Sequence, residues 1–232
     1  MLIILGKTAS GKNTIVNKLV KNYGFKQLVT YTTRPKRKGE IEGVTYHYIS
    51  LEEFKKKDRE GFFAESSYFC PASGGEWAYG TSLEDFKKAD DKTVLITNPR
   101  GYYSLLSNIG LGHACSIYII AKEDILLDRL EERGDSFLEA QRRIVADRED
   151  FEDVGNYVDF WIANDGMLSI EEIASKINFH IEQLRTEREA VDVVIDRMED
   201  DEGGYCPKCS SYVDRYHNKN YCDVCGQRIK WD

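Results

Sequence analysis

The first fourteen residues constrain the fold of this chain more than any other segment. Residues 2–5 are apolar, residues 6–12 run from a glycine to a Gly-Lys pair, and Ile15, Val16 and Leu19 follow at helical spacing. A strand, such a loop and an amphipathic helix are the context in which backbone N–H groups and a helix N-terminus hold a nucleotide phosphate. The predicted phosphate-binding residues are Gly6, Lys7, Thr8, Ala9, Ser10, Gly11, Lys12, Asn13 and Thr14.

One position in this loop departs from the usual pattern. Asn13 stands where Ser or Thr usually supplies a hydroxyl to Mg²⁺, and Thr14 follows it. An amide oxygen is also a suitable ligand for Mg²⁺ or for one of its waters. We therefore expect ATP and Mg²⁺ as cofactors, with a weaker case for the metal than for the phosphate.

Length and charge exclude several classes of protein. The chain has 232 residues and a net charge of −8, which argues against a protein that coats nucleic acid, because that function needs a basic surface. No apolar run approaches the length of a membrane span, and the chain enters its first strand without a cleavable leader. We expect a cytoplasmic protein that has no membrane or nucleic-acid partner.

The pattern along the chain predicts an α/β fold. Residues 92–97, 114–120 and 158–163 are apolar runs typical of strands buried on both faces, and amphipathic segments separate them. Ser50 and Ser169 each precede a glutamate by three residues, which predicts a helix start. Residues 122–148 predict two charged helices with a break near Gly134. Alternating strands and helices predict a parallel sheet covered on both sides.

Several separated motifs follow the phosphate loop in a fixed order. Residues 32–46 contain Thr-Thr-Arg, Arg37, Gly-Glu and Tyr46, and four of the five positions 34–38 are basic, which is typical of either a solvated face or an anion site. Glu65 and a Tyr-Gly-Thr triplet at 79–81 come next. Residues 129–143 hold two arginines at 129 and 133 and two more at 142 and 143, before Asn-Asp at 164–165.

In these motifs, residues 1–184 resemble the guanylate kinase family. The resemblance implies a three-layer P-loop fold with a helical lid and a small GMP-binding subdomain, and transfer of phosphate from ATP to GMP or dGMP. It implies that Lys12, Arg34, Arg133 and Arg143 are catalytic, because fixed positive charge stabilises the transferred phosphoryl group. It also implies a set of substrate-binding residues: Thr30, Arg34, Arg37, Tyr46, Glu65, Tyr79, Thr81 and Asn98.

The base-binding region departs from the family pattern at two places. Asn98 stands where the family usually has an aspartate, and about five extra residues, including Cys70 and Pro71, lie between Glu65 and Tyr79. An amide can donate as well as accept and carries no charge, so base preference can shift. The open alternatives are a kinase for another deoxy- or modified nucleotide or for a phosphorylated sugar, and a weakly active binding or scaffold module.

The C-terminal part predicts a separate metal module. Residues 185–202 are strongly acidic and continue an apolar stripe through Val191, Ile195 and Met198, which predicts a helical extension and linker. This helix is a candidate homodimer contact over residues 185–198. Two Cys-x-x-Cys pairs in residues 203–232 then predict a structural zinc ribbon. Its open uses are a purely structural one, a protein contact or, less favoured by the weak charge balance, contact with nucleic acid. Its predicted ligands are Cys206, Cys209, Cys222 and Cys225.

Overall fold

The computed structural model describes most of the chain. The described residues are 1–37, 39–71, 74–108, 114–187, 191–192, 194–195, 203–206, 209, 211–214 and 229–230. The chain divides into two compact units, Met1–Ser175 and Lys176–Asp232.

The described residues contain seven α-helices and fourteen strands. The helices are α1 (Lys12–Tyr23), α2 (Leu51–Arg59), α3 (Leu83–Lys87), α4 (Pro99–Asn108), α5 (Glu123–Glu132), α6 (Phe137–Asp150) and α7 (Ile170–Glu187). The longer strands are β1 (Leu2–Gly6), β5 (Phe63–Phe69), β6 (Trp77–Ser82), β7 (Thr93–Ile96), β8 (Cys115–Ile120) and β9 (Phe160–Ala163). The shorter strands are β2 (Lys26–Gln27), β3 (Thr30–Thr32), β4 (Tyr46–Tyr48), β10 (Val191–Asp192), β11 (Val194–Ile195), β12 (Gly203–Tyr205), β13 (Tyr212–Asp214) and β14 (Ile229–Lys230).

A five-stranded parallel sheet forms the centre of the first unit. Its strand order is β2-β7-β1-β8-β9, and Leu2 of β1 pairs with Val94 on one side and Cys115 on the other. All five residues of β1 are buried, as expected for a central parallel strand covered on both faces. The predicted α/β fold with a parallel sheet is confirmed, while the three-layer arrangement stays a prediction.

A second, mainly antiparallel sheet has the strand order β4-β3-β6-β5. Strand β2 pairs with β7 of the central sheet, whereas β3 pairs with β4 and β6 of the second sheet. The chain therefore passes from one sheet to the other between Gln27 and Thr30. Buried Ala64 of β5 packs in one hydrophobic cluster with Leu5 and Leu95 of the central sheet.

The two charged helices α5 and α6 form where the sequence predicted them. They pack through Leu126, Leu130, Ala140 and Ile144, and the Ser136 side chain caps α6 by accepting a hydrogen bond from the Glu139 N–H. The predicted helix starts at Ser50 and Ser169 are also confirmed, since each hydroxyl accepts from the N–H three residues later.

In the second unit, the predicted helical extension is wrong where the structure describes it. Helix α7 ends at Glu187, and Val191–Asp192 and Val194–Ile195 are strands that pair with β14 and β12. Their β-branched side chains favour extended backbone. A homodimer contact through a helix over residues 185–198 therefore cannot use Val191–Asp192 or Val194–Ile195 as part of a helix. Met198 lies outside the described residues.

The first Cys-x-x-Cys pair lies between two paired strands of the second unit. Strands β12 and β13 are antiparallel, and the Cys206 N–H donates to the Ser211 carbonyl across the turn. Cys222 and Cys225 lie outside the described residues. Within the described ranges, no group of three or more His, Cys, Asp or Glu side chains is arranged to hold a metal.

Candidate active site

A cavity of about 850 Å³ opens in the first unit at the end of β1. Residues from the phosphate loop, the β5–β6 hairpin, the start of α4 and the facing sides of α5 and α6 line it. The cavity therefore brings together side chains that are more than one hundred residues apart in the chain.

None of the described helices is long and apolar enough to cross a membrane.

The loop between β1 and α1 has the backbone shape of an anion site. Ala9 and Gly11 have positive φ angles of 57° and 93°, and alternation of left-handed and right-handed residues turns successive N–H groups toward one concave side. A Cβ atom at Gly11 would lie 2.3 Å from Asn164 Nδ2. Glycine is therefore required there for close packing as well as for its backbone conformation.

Lys12 begins α1 and points back across the loop. Its Nζ donates to the carbonyl oxygens of Gly6 at 2.6 Å and Lys7 at 2.8 Å. Burial lowers the pKa of Lys12 to about 8, with the charge of Asp147 opposing this shift and that of Arg133 adding to it. A phosphate anion beside the ammonium would raise the pKa of Lys12 back toward its usual value.

Two side chains hold the loop from its carbonyl side. Arg129 donates from Nη1 to the Ala9 carbonyl at 3.3 Å and from Nη2 to the Asn164 carbonyl at 3.0 Å. The Asn164 amide in turn donates to the Ser10 carbonyl at 2.8 Å. Within the loop, these bonds engage the carbonyl oxygens of Ala9 and Ser10.

An acidic residue of α6 contacts the same loop. Asp147 Oδ2 accepts from the Thr8 N–H at 2.5 Å. Burial raises the pKa of Asp147, although the Thr8 hydrogen bond and the charge of Lys12 act to lower it. The sequence analysis missed this residue, yet Asp147 lies one helical turn after Arg143, and that spacing places both on one face of α6.

The two arginines predicted to stabilise the phosphoryl group line the cavity and share a carboxylate. Asp135 contacts Arg133 Nη2 at 2.5 Å and Arg143 Nη1 at 3.3 Å. Glu139 also contacts Arg143 at 2.7 Å, and hydrogen bonds from Arg142 and Arg143 lower the pKa of Glu139 to about 2. The cationic cluster therefore has internal counter-ions in this structure.

Arg34 is buried and does not line the cavity. Its guanidinium is almost fully buried, donates to Glu40 at 2.6 Å and to the Pro35 carbonyl at 2.6 Å, and lies over the Tyr46 ring. Burial acts to raise the pKa of Glu40, but hydrogen bonds from Arg34, the Arg37 N–H and Tyr48 lower it to about 2. Arg37, Tyr46 and Tyr79 do line the cavity.

Glu65 of β5 also lines the cavity, and its side chain is almost fully buried. Thr81 Oγ1 donates to its Oε1 at 2.6 Å, and its Oε2 has no hydrogen-bond partner among the described residues. Burial raises the pKa of Glu65 to about 7, and the Thr81 bond acts in the opposite direction. An unpartnered buried carboxylate oxygen is costly and is suited to a ligand that brings N–H donors.

Asn98 lines the cavity as well and directly precedes α4. Its Oδ1 accepts from the Gly101 N–H at 3.0 Å and its Nδ2 donates to Ser67 Oγ at 2.8 Å. Asn-Pro at the start of a helix is a favourable N-cap and first-turn pair. Asn98 therefore stabilises α4 as well as facing the cavity.

Most of the residues predicted for ligand binding meet in this cavity. Its lining includes Gly6, Thr8, Ala9, Ser10, Gly11, Lys12, Asn13, Thr14, Thr30, Arg37, Tyr46, Glu65, Tyr79, Asn98, Arg133 and Arg143. Three of the predicted residues do not line the cavity: Lys7, Arg34 and Thr81. Lys7 Nζ lies 3.7 Å from Glu123 Oε1, and the Thr81 hydroxyl donates to Glu65, which does line the cavity.

The comparisons with known proteins agree with this arrangement. The family model described as guanylate kinase matches residues 1–184. The chain belongs to the guanylate kinase family. A guanylate kinase of Helicobacter hepaticus is 31% identical over 202 residues, which cover 81% of this chain and 94% of that protein. One of Neisseria meningitidis is 33% identical over 178 residues, which cover 74% and 83%.

A solved structure leads to the same family. The crystal structure of guanylate kinase from Anaplasma phagocytophilum matches with a TM-score of 0.58 and 26% identity, and covers 79% of this chain and 85% of that one. The guanylate kinase family thus accounts for the first unit, and the predicted family membership is confirmed.

Proposed function

We propose that this chain transfers a phosphoryl group from ATP to GMP or dGMP, forming ADP and GDP or dGDP. The observation that carries the proposal is one cavity lined both by a lysine-bearing phosphate loop and by the buried carboxylate of Glu65. Family membership supports the same activity. Two nucleotides bound in one cavity can react without a free intermediate.

At the donor end, the loop of residues 6–14 holds the ATP phosphates through its N–H groups. Lys12, Arg133 and Arg143 stabilise charge on the phosphoryl group during transfer. Asp135, Glu139 and Asp147 release their cationic or N–H partners when the phosphates arrive, so binding exchanges internal anions for those of the ligand. Positioning and charge supply the catalysis, and no side-chain base is required.

At the acceptor end, Arg37, Tyr46 and Tyr79 donate to the monophosphate. Arg34 has two of its five N–H donors bound to Glu40 and Pro35, which fixes its plane and leaves three donors. Glu65 accepts from the N–H groups of the base, with Thr81 orienting its carboxylate and Thr30 lining the same wall.

Members of the guanylate kinase family use ATP with Mg²⁺, and the donor end offers suitable oxygen ligands. Asn13 lines the cavity next to Lys12, and its amide oxygen is a hard ligand of the kind that Mg²⁺ accepts. Mg²⁺ held there would neutralise part of the negative charge of the ATP phosphates. Thr14 lines the cavity beside Asn13 and adds a hydroxyl.

The direct test is product analysis with purified chain, ATP, Mg²⁺ and GMP. Equal amounts of ADP and GDP are expected, with dGMP giving dGDP in the same assay. Lys12→Ala and Glu65→Ala should both strongly reduce product formation. Consumption of ATP that leaves GMP unchanged, or no consumption although both nucleotides bind, would contradict the proposal and favour a binding module.

For the second unit, we propose a structural zinc module formed by Cys206, Cys209, Cys222 and Cys225. The support is the doubled Cys-x-x-Cys spacing and the position of the first pair between antiparallel strands β12 and β13. Elemental analysis should find one zinc per chain, lost in Cys222→Ser and kept in Cys70→Ser. Zinc-free protein with an unchanged second unit would contradict it.

A further inference from the structure

Asp147 is an acidic residue on the inward side of α6. Ala140, Ile144 and Asp147 are four and then three residues apart, which places them on one side of the helix. Ala140 and Ile144 pack against α5, and Ala9 of the phosphate loop packs against the same apolar cluster. A carboxylate at such a position loses part of its hydration and needs polar partners. The packing of α6 thus directs Asp147 toward the phosphate loop.

The partners of Asp147 are those that a phosphate oxygen would have in this loop. Its Oδ2 accepts from the Thr8 N–H at 2.5 Å, and the charges of Lys12 and Lys7 act on the same carboxylate. Backbone N–H groups and a lysine are the groups with which a loop of this kind holds an anion. The carboxylate therefore serves as an internal anion of the donor site.

The contact is made at the end of the loop that is farther from α1 in the chain. Thr8 is the second residue after β1, whereas α1 begins at Lys12. In such a loop the N–H groups and the helix N-terminus hold the α- and β-phosphates, and the lysine reaches on to the β- and γ-phosphates. We therefore place the Asp147 carboxylate on the side where the phosphate chain of ATP ends.

A second set of ion pairs holds α6 against the same part of the loop. Arg148, next to Asp147, donates to the two carboxylate oxygens of Glu123 in α5 at 2.8 and 2.5 Å. Glu123 Oε1 in turn lies 3.7 Å from Lys7 Nζ. Consecutive residues of α6 are thus linked to the consecutive loop residues Lys7 and Thr8. A ligand that takes the Thr8 N–H must displace the carboxylate from a supported position.

We propose that Asp147 occupies the position of the terminal phosphate of the donor and so determines how the chain discriminates between ATP and ADP. The third phosphate of ATP is repelled by the carboxylate until the contact with Thr8 is broken. ADP ends one phosphate earlier and leaves this contact in place. The inference rests on the proposed function, and it makes Asp147 a specificity-determining residue that weakens ATP binding relative to ADP binding.

The test is calorimetric binding of ATP and of ADP, without GMP, to the parent chain and to Asp147→Asn. The amide keeps an oxygen for the Thr8 N–H but carries no charge. An internal group that fills a site for about 90% of the time lowers ligand affinity about tenfold, so the dissociation constant of ATP should fall at least about tenfold in the variant. That of ADP should change less than about threefold, because the contact and ADP coexist.

A matched control and a second condition sharpen this test. Asp128→Asn, at an exposed position of α5, removes the same charge and should change neither dissociation constant. Each titration is repeated with EDTA in place of Mg²⁺. ATP should bind more tightly to Asp147→Asn than to the parent in both conditions. Weaker binding of ATP to the variant only when Mg²⁺ is present would make Asp147 a metal ligand and overturn the inference.

Three further results would also overturn it. Unchanged ATP affinity in Asp147→Asn would mean that the carboxylate does not compete with a phosphate. Equal tightening of ATP and ADP would mean that it competes with every phosphate and not with the terminal one. Loss of ADP binding would mean that Asp147 supports the shape of the loop. Retained ADP binding is therefore the internal check that the loop of the variant is intact.

Binding and turnover separate this inference from the proposed function. A changed ratio of ATP to ADP affinity in Asp147→Asn, without GDP formation by the parent protein, would support the role of Asp147 and contradict the kinase. GDP formation by the parent together with an unchanged ratio would keep the kinase and overturn the role of Asp147. If ATP does not bind to the parent protein, both are contradicted.

Discussion

The two ends proposed for the cavity, the phosphate end at the loop of residues 6–14 and the base end at Glu65 and Asn98, differ in the partners that their polar groups have in this structure. At the phosphate end, the charged groups already have partners: Lys12 donates to loop carbonyls, and Arg133 and Arg143 contact Asp135. At the base end, Glu65 Oε2 is buried without a hydrogen-bond partner among the described residues. A phosphate must therefore displace the present partners of these cations, whereas a base with an N–H donor would supply the hydrogen bond that Glu65 Oε2 lacks.

From this difference we expect the phosphate end to determine affinity and reaction rate, and the base end to determine which nucleotide is selected. Exchanging one set of anions for another costs little net free energy and keeps the cations fixed for the transition state. Leaving a buried carboxylate unpaired is costly, so a ligand that lacks the matching donor is rejected. The following predictions test this separation, from the largest expected effect to the smallest.

The largest effect is expected for Lys12→Ala. Removing a fixed charge from the transferred phosphoryl group should lower kcat by about 1000-fold. The fold should persist, because Lys12 Nζ contacts only carbonyls of its own loop among the described residues. Steady-state rates with GMP and ATP measure the effect. Lys21→Ala, on the exposed face of the same helix, is the control, and a loss of the same size there would contradict the assignment.

A smaller and more selective effect is expected for Glu65→Gln. The amide has nearly the same shape but presents an N–H₂ group to the donors of the base, so kcat/KM for GMP should fall about 100-fold. The KM for ATP should not change. Glu52→Gln, at the start of α2, serves as a control for the lost charge. A KM for ATP that rises as much as kcat/KM for GMP falls would show that the effect of Glu65 is not confined to the base end.

Gly101→Ala should weaken the base end by displacing Glu65. A methyl group there would lie 2.3 Å from Glu65 Oε2, so the carboxylate must move and KM for GMP should rise about tenfold. Gly155→Ala is a matched control, because nothing lies within 4 Å of the added atom. KM for GMP that is unchanged in Gly101→Ala would mean that the position of Glu65 is not critical.

The smallest effect is a pH dependence of opposite sign at the two ends. Free Glu65 has a pKa of about 7 and must be ionised to accept from a base, so GMP affinity should rise about fourfold from pH 6.5 to 8. Free Lys12 has a pKa of about 8 and must be charged to bind phosphate, so ATP affinity should fall above pH 8.

Two variants isolate these titrations from that of the nucleotide phosphate itself. In Glu65→Gln the part of the GMP profile that belongs to the carboxylate should disappear. In Lys12→Arg the fall in ATP affinity above pH 8 should disappear, because arginine keeps its charge there. Binding measured from pH 6 to pH 9 in both variants decides this. Profiles that match the parent protein would contradict the assigned groups.

The phosphate end could be predicted from the sequence because its contacts are local. Residues 2–20 contain the strand, the loop and the helix, and Lys12 bonds to carbonyls five and six residues before it. The breaks around Gly134 and the caps at Ser50 and Ser169 are local signals as well, and all were confirmed. The partners of the loop are less local, and Asp147 was missed because it is 139 residues from Thr8.

The base end could not be predicted in the same detail. The sequence indicated Glu65 and Asn98, but the orientation of the Asn98 amide depends on Ser67, 31 residues away. That Gly101 leaves room for Glu65 also follows only from the packing of α4 against β5. In the second unit, an apolar stripe predicted a helix, but Val191–Asp192 and Val194–Ile195 adopt an extended backbone because they pair with the strands β14 and β12.

The separation of the two ends is tested most directly by titrating Glu65→Gln with GMP and with a non-hydrolysable ATP analogue, beside the parent protein. We predict that the dissociation constant of GMP rises by about 100-fold and that of the ATP analogue stays the same within about twofold. Equal weakening of both nucleotides, or unchanged binding of GMP, would contradict the account of a cavity with a phosphate-binding end and a base-reading end.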